Sequence, residues 1–177
     1  FRVLLASVLP LLTLTTSARA ADWKLIDPAQ LALKAPRVQA DADAEALFWE
    51  VRVADEFDRT SDLGARTVFD HYVRIKIFTD RGRETYATVD LPYDSGVRIE
   101  DVAARTVKPD GSVVELKKGD VYERTVIKTN DARVKAVSFA VPAIAPGTII
   151  EYRWREIHSD SIANYMRLPF SREVPVQ

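Results

Sequence analysis

His71 and His158 are the two imidazoles of this 177-residue chain, so general acid–base or metal chemistry would start from them. His71 sits on the apolar phase of an alternating stretch, where a histidine usually serves as a satisfied strand residue. His158 has Asp160 two positions on, and an imidazole with a carboxylate could shuttle a proton. Two imidazoles fall short of a conventional zinc site, which needs three or four ligands. The segment His158-Ser159-Asp160-Ser161 reads instead as a polar loop. Asp41, Asp43 and Glu45 alternate as oxygen ligands of a calcium site could, but the EF-hand spacing and its glycine are absent. They read as a solvated acidic segment. Asp58 and Asp62 could pair for glycoside cleavage, yet they stand in Asp58-Arg59-Thr60-Ser61-Asp62-Leu63-Gly64, a run of ordinary turn formers. The chain has no cysteine and hence no thiol nucleophile. No G-x-S-x-G context activates a serine, and no glycine loop cradles phosphate. The residues therefore predict no catalytic group, no metal and no cofactor.

Aromatic residues offer a different chemistry. Trp49, Tyr72, Tyr152 and Trp154 could form a stacking platform for sugars. Trp49, Tyr152 and Trp154 fall on apolar strand phases and read as core. Tyr72 shares the opposite phase with Asp70, Arg74 and Phe78, which makes it the better surface residue. Together with Arg74, Glu151, Arg153 and Arg155 it defines a candidate interaction surface.

The elements that hold these side chains are mostly strands. Ile150, Tyr152 and Trp154 alternate with Glu151, Arg153 and Arg155, the mark of a half-buried antiparallel strand. With Val137 to Val141 and a proline-bounded turn, this stretch reads as a hairpin. Leu47, Trp49, Val51 and Val53 form one face of another strand. Phe69, His71, Val73, Ile75 and Ile77 form a third, opposite Asp70, Arg74 and Lys76. Thr85, Ala87, Val89 and Leu91 continue the alternation. Ile99 to Val107 meets the turn Pro109-Asp110-Gly111-Ser112 and pairs back through Val113 to Leu116. Val121 to Ile127, Lys135 to Val141, Thr148 to Ile157 and Asn164 to Phe170 complete the strand set. Ahead of them, Asp27 caps a short helix, with Pro28 at its first position and Gln30 where a capping-box partner belongs. The absence of long helical crossovers argues against a parallel sheet. The predicted fold is mainly β, an antiparallel β-sandwich or curled sheet with a short N-terminal helix.

Composition sets the compartment and excludes several partners. Formal net charge is −1, with basic and acidic residues interspersed, so no field favours nucleic acid. Arg2, the apolar run Val3 to Leu14 and Ala18-Arg19-Ala20 predict a cleaved export signal over residues 1–20. The run is too short for a membrane anchor. Cleavage would remove Arg2 and Arg19 and no acid, taking the formal charge from −1 to −3. The expected organisation is signal peptide 1–20, short helix and lead-in 21–46, and β-sandwich 47–177. The export signal predicts a periplasmic or cell-surface location.

Three ordered features carry a resemblance. They are Trp23-Lys24-Leu25-Ile26-Asp27-Pro28, the run His71 to Gly82 ending in a D-x-G turn, and the hairpins Lys108-Pro109-Asp110-Gly111 and Phe139 to Trp154. The last contains P-x-x-x-x-G-x-x-I-E-Y-R followed by an aromatic residue. Together they resemble the bacterial domain of unknown function that precedes a transglutaminase-like domain in exported proteins. The resemblance spans Asp22 to Gln177. It implies a noncatalytic sandwich module that docks on, or scaffolds, its own downstream transglutaminase-like domain. A Cys-His-Asp triad would lie in that downstream domain, and none of it maps onto this chain. A carbohydrate- or envelope-binding module, with a glycan or envelope protein as partner, is the alternative. A third reading is an independent hydrolase, which requires His71 and carboxylates to converge in one cleft.

Overall fold

The computed structural model describes residues 23–128, 133–159, 161–163 and 172–177. The expected export signal and the expected strand Asn164 to Phe170 lie outside the described residues.

Helix α1 spans Pro28–Leu31. The Asp27 carboxylate accepts from the Ala29 amide at 2.8 Å, satisfying one of the amides that every helix start leaves open. Gln30 does not complete a capping box. Its Oε1 accepts instead from Arg74, at 2.8 Å. The chain then enters β1 (Ala44–Phe57) and returns along β2 (Ala65–Ile77). The turn between them is tied by Asp58, which accepts from the Thr60 amide and hydroxyl at 2.9 and 2.7 Å. Asp58 and Asp62 are thus parts of a turn, as their neighbours predicted.

The pairing of β1 with β2 slips between Ala46 and Phe48. This bulge breaks the expected face of Leu47, Trp49, Val51 and Val53, because one extra residue reverses the sidedness of what precedes it. Leu47 packs with Val107, Ile149, Ile26, Leu31 and Leu33, whereas Trp49 packs against the main core.

After β2 the sequence Asp80-Arg81-Gly82 is not a turn into another strand. It opens helix α2 (Asp80–Thr85), capped by the Thr79 hydroxyl accepting from the Gly82 amide. Thr85 belongs to this helix and not to the expected strand face. A Cβ on Gly82 would collide with the Asp43 carbonyl oxygen and lie 2.9 Å from its carbon, so only glycine lets α2 approach the start of β1 this closely.

Strands β3 (Thr88–Tyr93), β4 (Val97–Val107) and β5 (Val113–Glu115) follow. The β4–β5 turn has the expected chemistry: Asp110 accepts from the Ser112 amide and hydroxyl, and Gly111 takes φ +83°. A single 3₁₀ turn leads into β6 (Val121–Lys128), then β7 (Arg133–Ala140) and β8 (Ile149–Ser159). His158 and Ser159 lie within β8 and not in a loop.

The strands form two sheets, ordered β1-β2-β8-β4-β5 and β3-β7-β6, with every adjacent pair antiparallel. The expected fold class holds. The expected hairpin from Phe139 to Trp154 does not, because β7 and β8 lie in different sheets. Each is central in its own sheet and already has two neighbours, so neither has a side free for the other. Pro142 to Gly147 therefore carries the chain across, with Ala143 at φ +50°, and the Gly147 amide bonds to the Ile77 carbonyl at 2.8 Å. Between the sheets lie Val73, Ile75, Ile77, Ile150, Tyr152 and Trp154 from one side, and Val89, Leu91 and Phe139 from the other. Burying a side chain such as Phe139, fully covered, stabilises by about 2–3 kcal/mol.

Candidate functional site

The outer face of the large sheet carries the residues expected to form an interaction surface. The structure covers most of that face with the chain's own N-terminal segment. Glu151 is fully buried and Arg74 is 3% exposed. This corrects the reading of Glu151 as a solvent-facing residue: the segment from Trp23 to Leu33 lies over it. The Glu151 carboxylate receives Arg74 at 2.8 Å, Arg105 at 2.6 Å and the Tyr72 hydroxyl at 2.5 Å. Two guanidinium groups and a hydroxyl supply the donors that a buried carboxylate needs.

The other Arg74 donors reach the strap. They bond to the carbonyls of Lys24 at 2.8 Å and Leu25 at 3.2 Å, and to the Gln30 side chain. Trp23 lies under two cations, with the Arg105 guanidinium 4.7 Å and that of Arg153 5.3 Å from its ring centroid. Its edge meets Tyr72 at 5.7 Å. Burial, reinforced by the Glu151 carboxylate, pushes the Tyr72 hydroxyl up to about 12. Tyr72 therefore remains a donor throughout the neutral range. Tyr72, Arg74, Glu151 and Arg153 thus converge to hold the strap. Arg155 stands apart, bonded to Asp70 at 3.1 Å and to Glu56 at 2.6 Å.

Further along the strap, Lys76 is 1% exposed. Its ammonium donates to the Leu31 carbonyl at 2.9 Å and the Gly147 carbonyl at 2.6 Å. It thereby ties the end of α1 to the crossing between sheets. Burial, aided by the nearby Lys34 charge, holds its pKa below the usual lysine value.

The inner face brings the two histidines together around a carboxylate. His158 Nε2 lies 2.6 Å from one Glu156 oxygen and His71 Nε2 lies 3.2 Å from the other. Burial opposes ionisation of Glu156, but the two imidazoles outweigh it and hold its carboxyl below the usual range. The His71 ring stacks on Trp154 at 4.2 Å and 2°, which fixes its plane. Its approach to Glu156 is within ion-pair range but off hydrogen-bond alignment, so both ring nitrogens are without an aligned partner. Among the described residues no hydroxyl bonds to either imidazole. The cluster can hold or move a proton, and among the described residues no hydroxyl is bonded to it for activation. No group of three or more histidine, cysteine, aspartate or glutamate side chains among the described residues has the arrangement of a metal site.

Sequence reasoning did not name Glu156, although it shares the strand phase of His158. Only the register that sets His71 opposite Trp154 brings it to His71. Arg105 was missed for the same reason: it meets Glu151 only through the β4–β8 register.

The acidic segment is structural and not uniformly solvated. Asp43 accepts from the Thr79 hydroxyl at 2.6 Å and from Arg81, and Glu45 is fully buried. Glu45 accepts from the amides of Arg37 and Val38 at 2.8 and 2.7 Å and from the Gln177 side chain at 2.5 Å. The four aromatics form no open platform. Tyr152 and Trp154 are buried as expected; Trp49 is half-buried beneath the Arg172 guanidinium at 4.7 Å; Tyr72 lies against Trp23 and Phe48. No helix among the described residues is long and apolar enough to cross a membrane.

One family matches residues 65–177 of the sequence: DUF3857, a domain of unknown function with a solved structure. The chain belongs to the DUF3857 family. The match starts at β2 and runs to the last residue, taking in the three-stranded sheet and all of the larger sheet except β1. No curated protein matches the chain. Among solved structures, the fold is similar to a protein from Parabacteroides distasonis called a "putative protease", with 15% identity and a TM-score of 0.54. The similarity covers 67% of this chain and 24% of that protein, and it shows a shared fold.

Proposed function

We propose that this DUF3857 domain is a noncatalytic module of a longer exported protein, acting by docking on a downstream transglutaminase-like domain. The observation that carries this reading is the length relation: the fold recurs as 24% of a larger chain that is called a "putative protease". The module then positions its neighbour and shapes access to that neighbour's cleft. The outer face around Glu151 is taken by the strap, so docking falls elsewhere. Phe57, 77% exposed, and Leu63, 59% exposed, stand at the tip of the β1–β2 hairpin and offer apolar contact.

A second reading is favoured by one observation, the His71–Glu156–His158 cluster, which sets His71 beside a carboxylate, one part of what a hydrolase using His71 would need. The two readings separate in a peptidase and amine-transfer assay of the 177-residue chain alone. A docking module gives no turnover above buffer. Turnover that falls at least a hundredfold in His71→Ala, the range of one general base, would overturn it.

A further inference from the structure

The cavity beside Lys76 sets a buried lysine against apolar walls. Leu31, Leu33, Lys34, Lys76, Ile77, Phe78, Pro109 and Gly147 line it, and its volume is about 140 Å³. That is roughly ten times the ~10–15 Å³ that one water requires. Lys76 and the two residues whose carbonyls hold its ammonium, Leu31 and Gly147, all line the cavity. An ammonium has three protons, and two carbonyls use two of them. Burial and the neighbouring Lys34 charge both disfavour the charged form of Lys76. A buried charge is ordinarily paired, because desolvation without a counter-charge is costly. Here the described residues supply none. The remaining walls are apolar: Leu31, Leu33, Phe78 and Pro109.

We propose that this cavity binds a short aliphatic carboxylate, its oxygens against Lys76 and Lys34 and its hydrocarbon part against Leu33, Phe78 and Pro109. Two ammonium groups select an anion. Apolar walls select a carboxylate with a carbon tail over phosphate or sulfate, whose oxygens point in every direction. The ligand bridges the strap, the end of β2 and the crossing between sheets, so binding stabilises the strap on the sandwich. The site is independent of catalysis and of downstream docking.

Thermal unfolding of the 177-residue chain tests this, with sodium propionate, an N-acetylated dipeptide acid and sodium phosphate each compared with sodium chloride at equal ionic strength. A saturating carboxylate is expected to raise the midpoint by about 5 °C, since a ligand that binds only the folded state stabilises it. Lys34→Ala, an exposed change that leaves the core intact, is expected to weaken the apparent affinity about tenfold, one lost charge contact. Lys76→Met is expected to abolish the response. Stronger binding of the dipeptide acid identifies a peptide terminus as the source; stronger binding of propionate identifies a free acid. Equal midpoints in carboxylate and chloride overturn the proposal, as does a stronger response to phosphate. An unchanged response in Lys34→Ala overturns it even where Lys76→Met fails to fold.

Discussion

Glu151 lies on the charged phase of a strand that otherwise alternates with apolar residues, and that phase is commonly the solvent side. Here the strap covers it, and the carboxylate becomes the centre of a buried network with Arg74, Arg105 and Tyr72. Removing one partner of such a network leaves the others buried and unpaired, which costs more than the pairing gains. Glu151→Gln is therefore expected to destabilise the fold by about 3 kcal/mol in urea unfolding. A loss below about 1 kcal/mol, the size typical of surface pairs, would show that solvent reaches this site. The sequence displayed the charges but not their burial. Arg74, Glu151 and Arg105 come from three strands, and only sheet register and an eleven-residue strap place them together.

Local patterns were most legible where one element sets its own geometry. Asp27 and Pro28 start α1, and Pro109-Asp110-Gly111-Ser112 makes the β4–β5 turn, because both depend on residues within one turn of chain. The Val73, Ile75, Ile77 and Ile150, Tyr152, Trp154 faces were legible from alternation alone. Three features were not. The Leu47 bulge is a one-residue slip that leaves the composition of β1 unchanged. The β7–β8 crossing uses the same prolines and glycine as a hairpin, and it is decided by distant strands that already flank β7 and β8. Helix α2 begins at a D-x-G sequence that also suits a turn, and contact with Asp43 selects the helix. That contact gives a prediction for the element. Gly82→Ala forces a Cβ into the Asp43 carbonyl, and the strand or the helix must shift. A loss of about 2 kcal/mol is expected in the same unfolding measurement, as for other overpacked sites. A neutral or stabilising effect, as helix propensity alone would give, would mean that α2 is not held against β1.

At the scale of the molecule, acid carboxylates join elements that are distant in sequence. Burial raises the pKa of Glu45, but hydrogen bonds from Gln177, Val38 and Arg37 outweigh it and leave it low. The Arg66 side chain holds Glu56 low, helped by Arg155, and Arg124 with Ser138 does the same for Asp90. Glu156 is low through its two imidazoles, against the effect of burial. Each folded-state pKa lies below its ordinary value of 4.5 for glutamate or 3.8 for aspartate. The linked stability is thus present above those values and lost as pH falls through the depressed ones, because the unfolded chain binds protons first. The urea midpoint is expected to decline steadily as pH drops below 4.5. A midpoint that holds constant down to about pH 3 would contradict the assigned carboxylate pairings.

The central claim concerns contact between domains, and binding measures it directly. The transglutaminase-like domain proposed to follow this one, produced separately, can be titrated with the 177-residue chain by calorimetry. The account predicts a micromolar complex, weakened at least tenfold by Phe57→Ser with Leu63→Ser, as for loss of apolar anchors at an interface. No detectable heat at about 1 mM, or binding unchanged by both substitutions, would contradict it.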